Sequence, residues 1–248
     1  MLRLGDPAPD FKMKGTDGKE NTIADYKKQT EETTMARNNA KKTARALKYT
    51  PGGLQGFTER QVTEHHGVLY TGYVNKTNEI REKLDKVDLK TANATHGDFR
   101  ELKVEETFAV NGVRLHEGYF DVMGGKGGAP SGDILNMLND DFGSWETWKA
   151  EVEAAGVSSR GWVVTAYDWE DHRIHVYLCD VHNQGGVWNA TPIVILDVYE
   201  HAYFLDYGTK RKDYIAQWFN NLDWAWVNEE VKRYNLLEHR HKHNIGKA

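Results

Sequence analysis

Pro192-Ile193-Val194-Ile195-Leu196 runs directly into Asp197-Val198-Tyr199-Glu200-His201-Ala202-Tyr203-Phe204. The first five residues are apolar and mostly β-branched, the composition of a buried strand. Asp197 therefore leaves a strand end with little to solvate its charge, and a carboxylate in that position calls for a cation. Four residues on, His201 offers a neutral nitrogen ligand, and the aromatic residues around both keep water out. A helix-capping Asp followed by a hydrogen-bonded core His gives the same pattern, so the stretch gains weight only from partners elsewhere in the chain.

Working upstream, the hydrophobic period is two in Gly161-Trp162-Val163-Val164-Thr165-Ala166-Tyr167 and again in Ile174-His175-Val176-Tyr177-Leu178-Cys179, with a polar turn at Glu170-Asp171-His172 between them. With 192 to 196 these read as three antiparallel strands. Before them one helix is expected to carry Leu135, Leu138, Phe142, Trp145 and Trp148, and the Trp- and Tyr-rich segment from Tyr199 to Tyr234 is expected to be helical and to pack back on the sheet. Gly124-Gly125-Lys126-Gly127-Gly128-Ala129-Pro130 reads as a flexible break and a domain boundary.

Further upstream the period is helical. From about Thr58 to Leu84, residues Val62, His65, Leu69, Tyr73, Ile80 and Leu84 fall on one stripe about 100° wide. His66 lies at its edge, so periodicity does not choose between the two histidines. Tyr73, two turns on, leans back toward His65. From about Glu105 to Met123 a second stripe holds Phe108, Ala109, Gly112, Val113, His116, Tyr119, Phe120 and Met123, with His116 at its centre. Two histidines on the apolar faces of two helices joined by a short connector point to a shared partner between the helices.

The fold expected is α+β: a helical hairpin (47–125), then an α/β domain with a three-stranded antiparallel sheet (126–238), with the metal site between the two. A polar N-terminal extension (1–46), with the stretch from Ile23 to Leu47 read as a surface helix or loose arm, and a His-rich tail (239–248) with His239, His241 and His243, read as a solvated terminus, flank them. The chain has 248 residues, 39% hydrophobic and 28% charged, enough for a sizeable core. A formal net charge of −5 argues against a nucleic-acid binder working through a broad basic surface. The single cysteine, Cys179, allows no intrachain disulfide. With no apolar run of membrane-spanning or signal-peptide length, the expectation is a cytoplasmic protein with no membrane partner.

These pieces, from about Tyr49 to Tyr234, resemble the iron/manganese superoxide dismutases. That family's hallmark, Asp-Val-Trp-Glu-His-Ala-Tyr-Tyr, is matched by Asp197 to Phe204. Its first ligand is the leading His of a His-His pair eight residues before a Tyr-Val-Asn, here Tyr73-Val74-Asn75, which selects His65. Its second, in a His-x-x-aromatic-aromatic pattern, is His116 with Tyr119 and Phe120. The resemblance implies His65, His116, Asp197 and His201 as ligands of one iron or manganese ion per subunit. It implies a reaction in which superoxide, the substrate, becomes dioxygen and hydrogen peroxide as the metal cycles between +3 and +2. It also implies Tyr73 at the mouth of the site and Trp162 as a wall.

A Gln or His that tunes the centre completes the family pattern. The iron-type position for a Gln, four residues before the second ligand, is Gly112, so the donor is expected from the strand side. There the count back from Asp197 favours His182, with Gln184 the nearest Gln. Four departures, Leu69, Phe120, Tyr199 and Phe204, leave every ligand in place and bear on proton supply and metal preference. The resemblance further implies a homodimer or a dimer of dimers in which Glu200 contacts His201 of the partner subunit. A non-catalytic metal-binding relative acting as an interaction module is the alternative. The opening Gly5-Asp6-Pro7-Ala8-Pro9-Asp10-Phe11 is similar to the first strand of peroxiredoxins, but no cysteine precedes Cys179, which opposes that activity.

Overall fold

The computed structural model describes residues 40–243 and Ile245, together with the backbone of Lys12–Lys14 and Glu20–Thr22. Those two short strands, β1 and β2, pair antiparallel. The rest of the 1–39 stretch, including the peroxiredoxin-like opening, lies outside the described residues, as do residues 244 and 246–248 of the tail.

The first helical rod comprises α1 (Glu59–Thr63), a π-helical segment (Glu64–Tyr70) and α2 (Thr71–Leu84). Thr58 caps its start by accepting the backbone N–H of Gln61. The π segment makes the one correction to the helical stripe. Its i→i+5 bonding takes in an extra residue, so the buried face slips by one position downstream. Val62, His65, Ile80 and Leu84 are buried as expected, but Tyr70 and Val74 take the core places read for Leu69 and Tyr73. Tyr73 is left half-buried at the edge.

The second long helix, α3 (Asp98–Asp121), begins two turns earlier than its apolar stripe. It packs against α2 on one side and against the last strand on the other. Two helices, α4 (Asp133–Phe142) and α5 (Trp145–Ser158), replace the single helix expected here. Gly143, at φ 81°, ends the first and Ser144 caps the second by accepting the Thr147 N–H.

The sheet is β3 (Trp162–Asp168), β4 (Ile174–Cys179) and β5 (Ala190–Asp197), antiparallel in the order β4-β3-β5. Register places Trp162 directly opposite both Asp197 and Cys179. A bulge at Ile193, next to Pro192 with its missing N–H, absorbs the shift farther along. The turn Glu200–Ala202 and helices α6 (Phe204–Tyr207), α7 (Arg211–Phe219) and α8 (Trp224–Arg233) follow, and α8 packs on β5. The chain ends in α9 (Leu236–Lys242).

One apolar cluster runs from Val62 and Val113 through Trp148, Trp162 and Leu196 to Trp218, so helices and sheet share a core. The glycine run is part of that union rather than a flexible break: Gly125 donates to the Asn221 carbonyl and Gly127 to that of Leu222. A Cβ at Gly125 would meet the Leu222 oxygen at 2.2 Å, which only glycine avoids. Both flanking segments are likewise attached where they are described. Lys42 exchanges two backbone hydrogen bonds with the Asn78 amide, and the Arg45 N–H donates to the Tyr70 hydroxyl. At the other end Arg240 is buried, so the start of the tail is docked rather than solvated. Among the described residues no helix is long and apolar enough to cross a membrane.

Candidate metal centre

His65, on the π segment, and His116, on α3, face the end of β5, where Asp197 and His201 stand four residues apart. The four offer ligand atoms that all lie within 4.8 Å of one another. Three imidazoles crowd one oxygen: Asp197 Oδ2 lies 3.1 Å from His65 Nε2, 3.2 Å from His201 Nε2 and 3.7 Å from His116 Nε2. His65, His116 and Asp197 are buried, and His201 retains 25% of its side-chain exposure.

The hydrogen-bond partners fix the protonation of His116. His116 Nδ1 lies 2.6 Å from the Gly112 carbonyl, which can only accept, so Nδ1 carries the hydrogen. Its Nε2 then presents a lone pair, buried and without a hydrogen-bond partner, toward a carboxylate oxygen. Burial, with His65 beside it, pushes this imidazole down to about 3, so it is neutral. Two lone pairs facing each other in a dry site repel unless a cation lies between them. Burial also lowers His65, against the pull of Asp197. Burial works to raise the Asp197 carboxyl, but His201 and His65 against it hold it well below the usual carboxylate range. The donor set of three nitrogens and one anionic oxygen fits a first-row divalent or trivalent ion.

The supports are local. Asp197 Oδ1 accepts the Tyr199 N–H at 2.9 Å, and the Asp197 carbonyl accepts the buried Tyr214 hydroxyl at 2.5 Å. Gln61 donates to the His201 carbonyl at 2.7 Å and accepts the Leu205 N–H at 3.2 Å, tying the hallmark turn to α1. Neither Tyr214 nor Gln61 was singled out from the sequence. Gln61 left one trace there, a polar residue beside the apolar stripe, and Tyr214 is one of many aromatics in its segment.

The remaining candidate residues pack around these four. Trp162 Nε1 donates to His182 Nδ1 at 2.9 Å. His182 is buried with its Nε2 unpartnered, whereas Gln184 is exposed on the following turn. Tyr73 packs edge-on against His182, with ring centroids 4.7 Å apart, and lies 5.4 Å from His116, so it sits over those two rather than over His65. Gly112 makes this possible, since a Cβ there would lie 2.8 Å from the Tyr73 ring. Tyr199 stacks on His201, and Phe120 lies edge-on to His65. His66 turns away and bonds the Arg45 carbonyl at 2.8 Å.

A helix pair and an antiparallel sheet that meet at three imidazoles and one carboxylate define a single-ion metalloprotein centre. The family model described as "Iron/manganese superoxide dismutases, C-terminal domain" matches residues 130–230. The superoxide dismutase [Fe] of Aquifex aeolicus is 39% identical over 197 residues, covering 76% of this chain and 92% of the relative. The superoxide dismutase [Mn] of Haloarcula marismortui is 35% identical, covering 71% and 86%, and the superoxide dismutase [Fe] of Saccharolobus solfataricus is 32% identical, covering 76% and 92%. The chain belongs to the iron/manganese superoxide dismutase family.

Proposed function

We propose that the protein is a superoxide dismutase in which His65, His116, Asp197 and His201 hold one iron or manganese ion per chain. The unprotonated, partnerless Nε2 of His116 beside a buried carboxylate carries this reading. When bound, the ion supplies a couple between +3 and +2 that both accepts an electron from superoxide and returns one to it.

The residues around it handle protons and access. Turning two superoxide anions into dioxygen and hydrogen peroxide takes up two protons. Because Trp162 donates to its Nδ1, neutral His182 carries its hydrogen on Nε2, the atom left without a partner. Burial lowers that imidazole to about 4, so the neutral donor form prevails at neutral pH. Burial and the Asp197 charge raise the Tyr73 phenol, which therefore stays protonated at the mouth. Trp162, Tyr199 and Phe120 exclude bulk water and admit only a small anion. Metal analysis paired with superoxide consumption, on protein loaded with iron and with manganese, tests the assignment. One ion per chain with rapid consumption is expected; one ion per chain with no consumption overturns it in favour of a metal-binding module.

We also infer a homodimer, or a dimer of dimers, with Glu200 reaching the partner subunit's His201. Glu200 is exposed, His201 is the least covered of the four ligands, and Phe204 and Leu205 beside them are exposed apolar residues. Glu200→Ala is expected to shift sedimentation toward monomer and lower metal retention, since a symmetric contact is lost twice. Unchanged sedimentation in that variant counts against the contact.

A further inference from the structure

We propose that His172, His239 and His243 form a second metal site, one that takes a late first-row divalent ion such as zinc and staples α9 to the turn between β3 and β4. His239 and His243 are four residues apart on one side of the terminal helix, while His241 projects from the other. The turn supplies His172, which is buried and held at a left-handed φ of 60°. Arg240 clamps the two elements together: its guanidinium donates to Asp141 at 2.6 and 3.0 Å and to the His172 carbonyl at 3.1 Å.

The three rings lie near one another without yet converging on one point as the four ligands of the main centre do. In the main site the ring centroids of His65, His116 and His201 are 5.0, 5.0 and 5.6 Å apart. At the terminus His172 lies 3.7 Å from His243 and 6.4 Å from His239, values that bracket those distances. His243 is exposed and His239 half-buried against Trp169, so taking an ion requires the first ring to swing away from His172 and the second to leave Trp169.

His172 Nδ1 is occupied by the buried Tyr167 hydroxyl at 3.0 Å, which orients the ring and leaves Nε2 for an ion. Burial, with His243 and His239 beside it, keeps this imidazole below its ordinary range and so neutral. The neighbouring cation, Arg240, is neutralised by Asp141 and faces Asp140 at 3.5 Å. Asp171 is engaged by His175 at 2.7 Å, so the donors are nitrogen only. An all-imidazole set favours zinc, nickel or copper over the ions that suit a carboxylate-bearing centre.

The test uses full-length protein whose main centre is already filled with iron or manganese. Zinc chloride is titrated in by calorimetry, and retained zinc is measured after gel filtration. One additional zinc per chain is expected, with affinity falling at least about tenfold in His239→Ala and in His243→Ala. Zinc should raise the melting temperature of the parent protein and not that of His243→Ala. His241→Ala should bind as the parent does. No retained zinc in the filled protein, retention in His239→Ala and His243→Ala equal to the parent's, or a loss in His241→Ala as large as in His243→Ala would overturn the site. The last of these results would mark chelation by a loose tail.

Discussion

His65, His116 and His201 surround a buried carboxylate, whereas His172, His239 and His243 gather at the protein's edge with solvent along one side. Residue type is the same in both places; what differs is burial and the anion. In the main centre burial keeps His116 neutral with its Nε2 unpartnered, and Asp197 would cancel part of an ion's charge, so an ion relieves the one buried group that the protein itself leaves unsatisfied there. At the terminus nothing is left in conflict without an ion, because His172 already has Tyr167 and His239 packs against Trp169. The first arrangement builds a permanent cofactor site. The second builds a reversible one.

The largest effect should follow from breaking the first arrangement. His116→Ala removes a direct ligand, so superoxide consumption should fall by more than the roughly 10–100-fold that loss of an outer partner costs. Metal content should fall with it. Near-parental activity with a full complement of metal would remove His116 from the centre.

Arg240→Ala attacks the frame of the second arrangement by removing the buried partner of Asp141. That carboxylate keeps Arg173 at 3.1 Å and the Ile174 N–H at 2.8 Å, so the cost should be about 1–3 kcal/mol rather than that of a wholly unpaired buried charge. Denaturant titration reads this, and metal analysis of the same samples should find the main ion still in place. A change below about 1 kcal/mol would mean that Arg240 does not clamp the terminus.

Trp162→Phe keeps the wall but removes the N–H that fixes the His182 proton on Nε2. We expect about a 10–100-fold fall in activity with metal retained, together with a changed pH profile. An unaltered rate and profile would leave Trp162 as a wall and nothing more.

The smallest effect is a pH dependence. The His172 imidazole is lowered in the fold, so the unfolded chain binds its proton more readily. Its contribution is therefore fully felt above the unfolded value, near 6.5, and stability is lost as pH falls below it. Melting curves of metal-filled protein between about pH 7.5 and 5 should converge for parent and His172→Gln as pH falls, by a few degrees at most. A gap that widens toward acid would reverse the sign.

Much of the main centre was legible along the chain because each half of it obeys a local period. His116 sits at the centre of an apolar stripe, and Asp197 follows an unbroken apolar strand. The π segment was not legible, since no local rule marks where a helix takes in an extra residue, and it moved Leu69 and Tyr73 from core to edge. The break at Gly143-Ser144 is masked by apolar spacing that continues across it, although a Gly followed by a capping Ser is a local signal.

Sequence by itself determined the element types, the four candidate ligands and the family, because backbone period and the hallmark spacing are properties of contiguous residues. Tertiary structure decided which nitrogen of His182 carries a proton, that Trp162 rather than any neighbour holds that ring, and that the terminal histidines meet His172. Each of these depends on strand register or on a buried ion pair joining residues from 20 to about 100 positions apart. Contacts of that kind form only when the core closes, so no local pattern announces them.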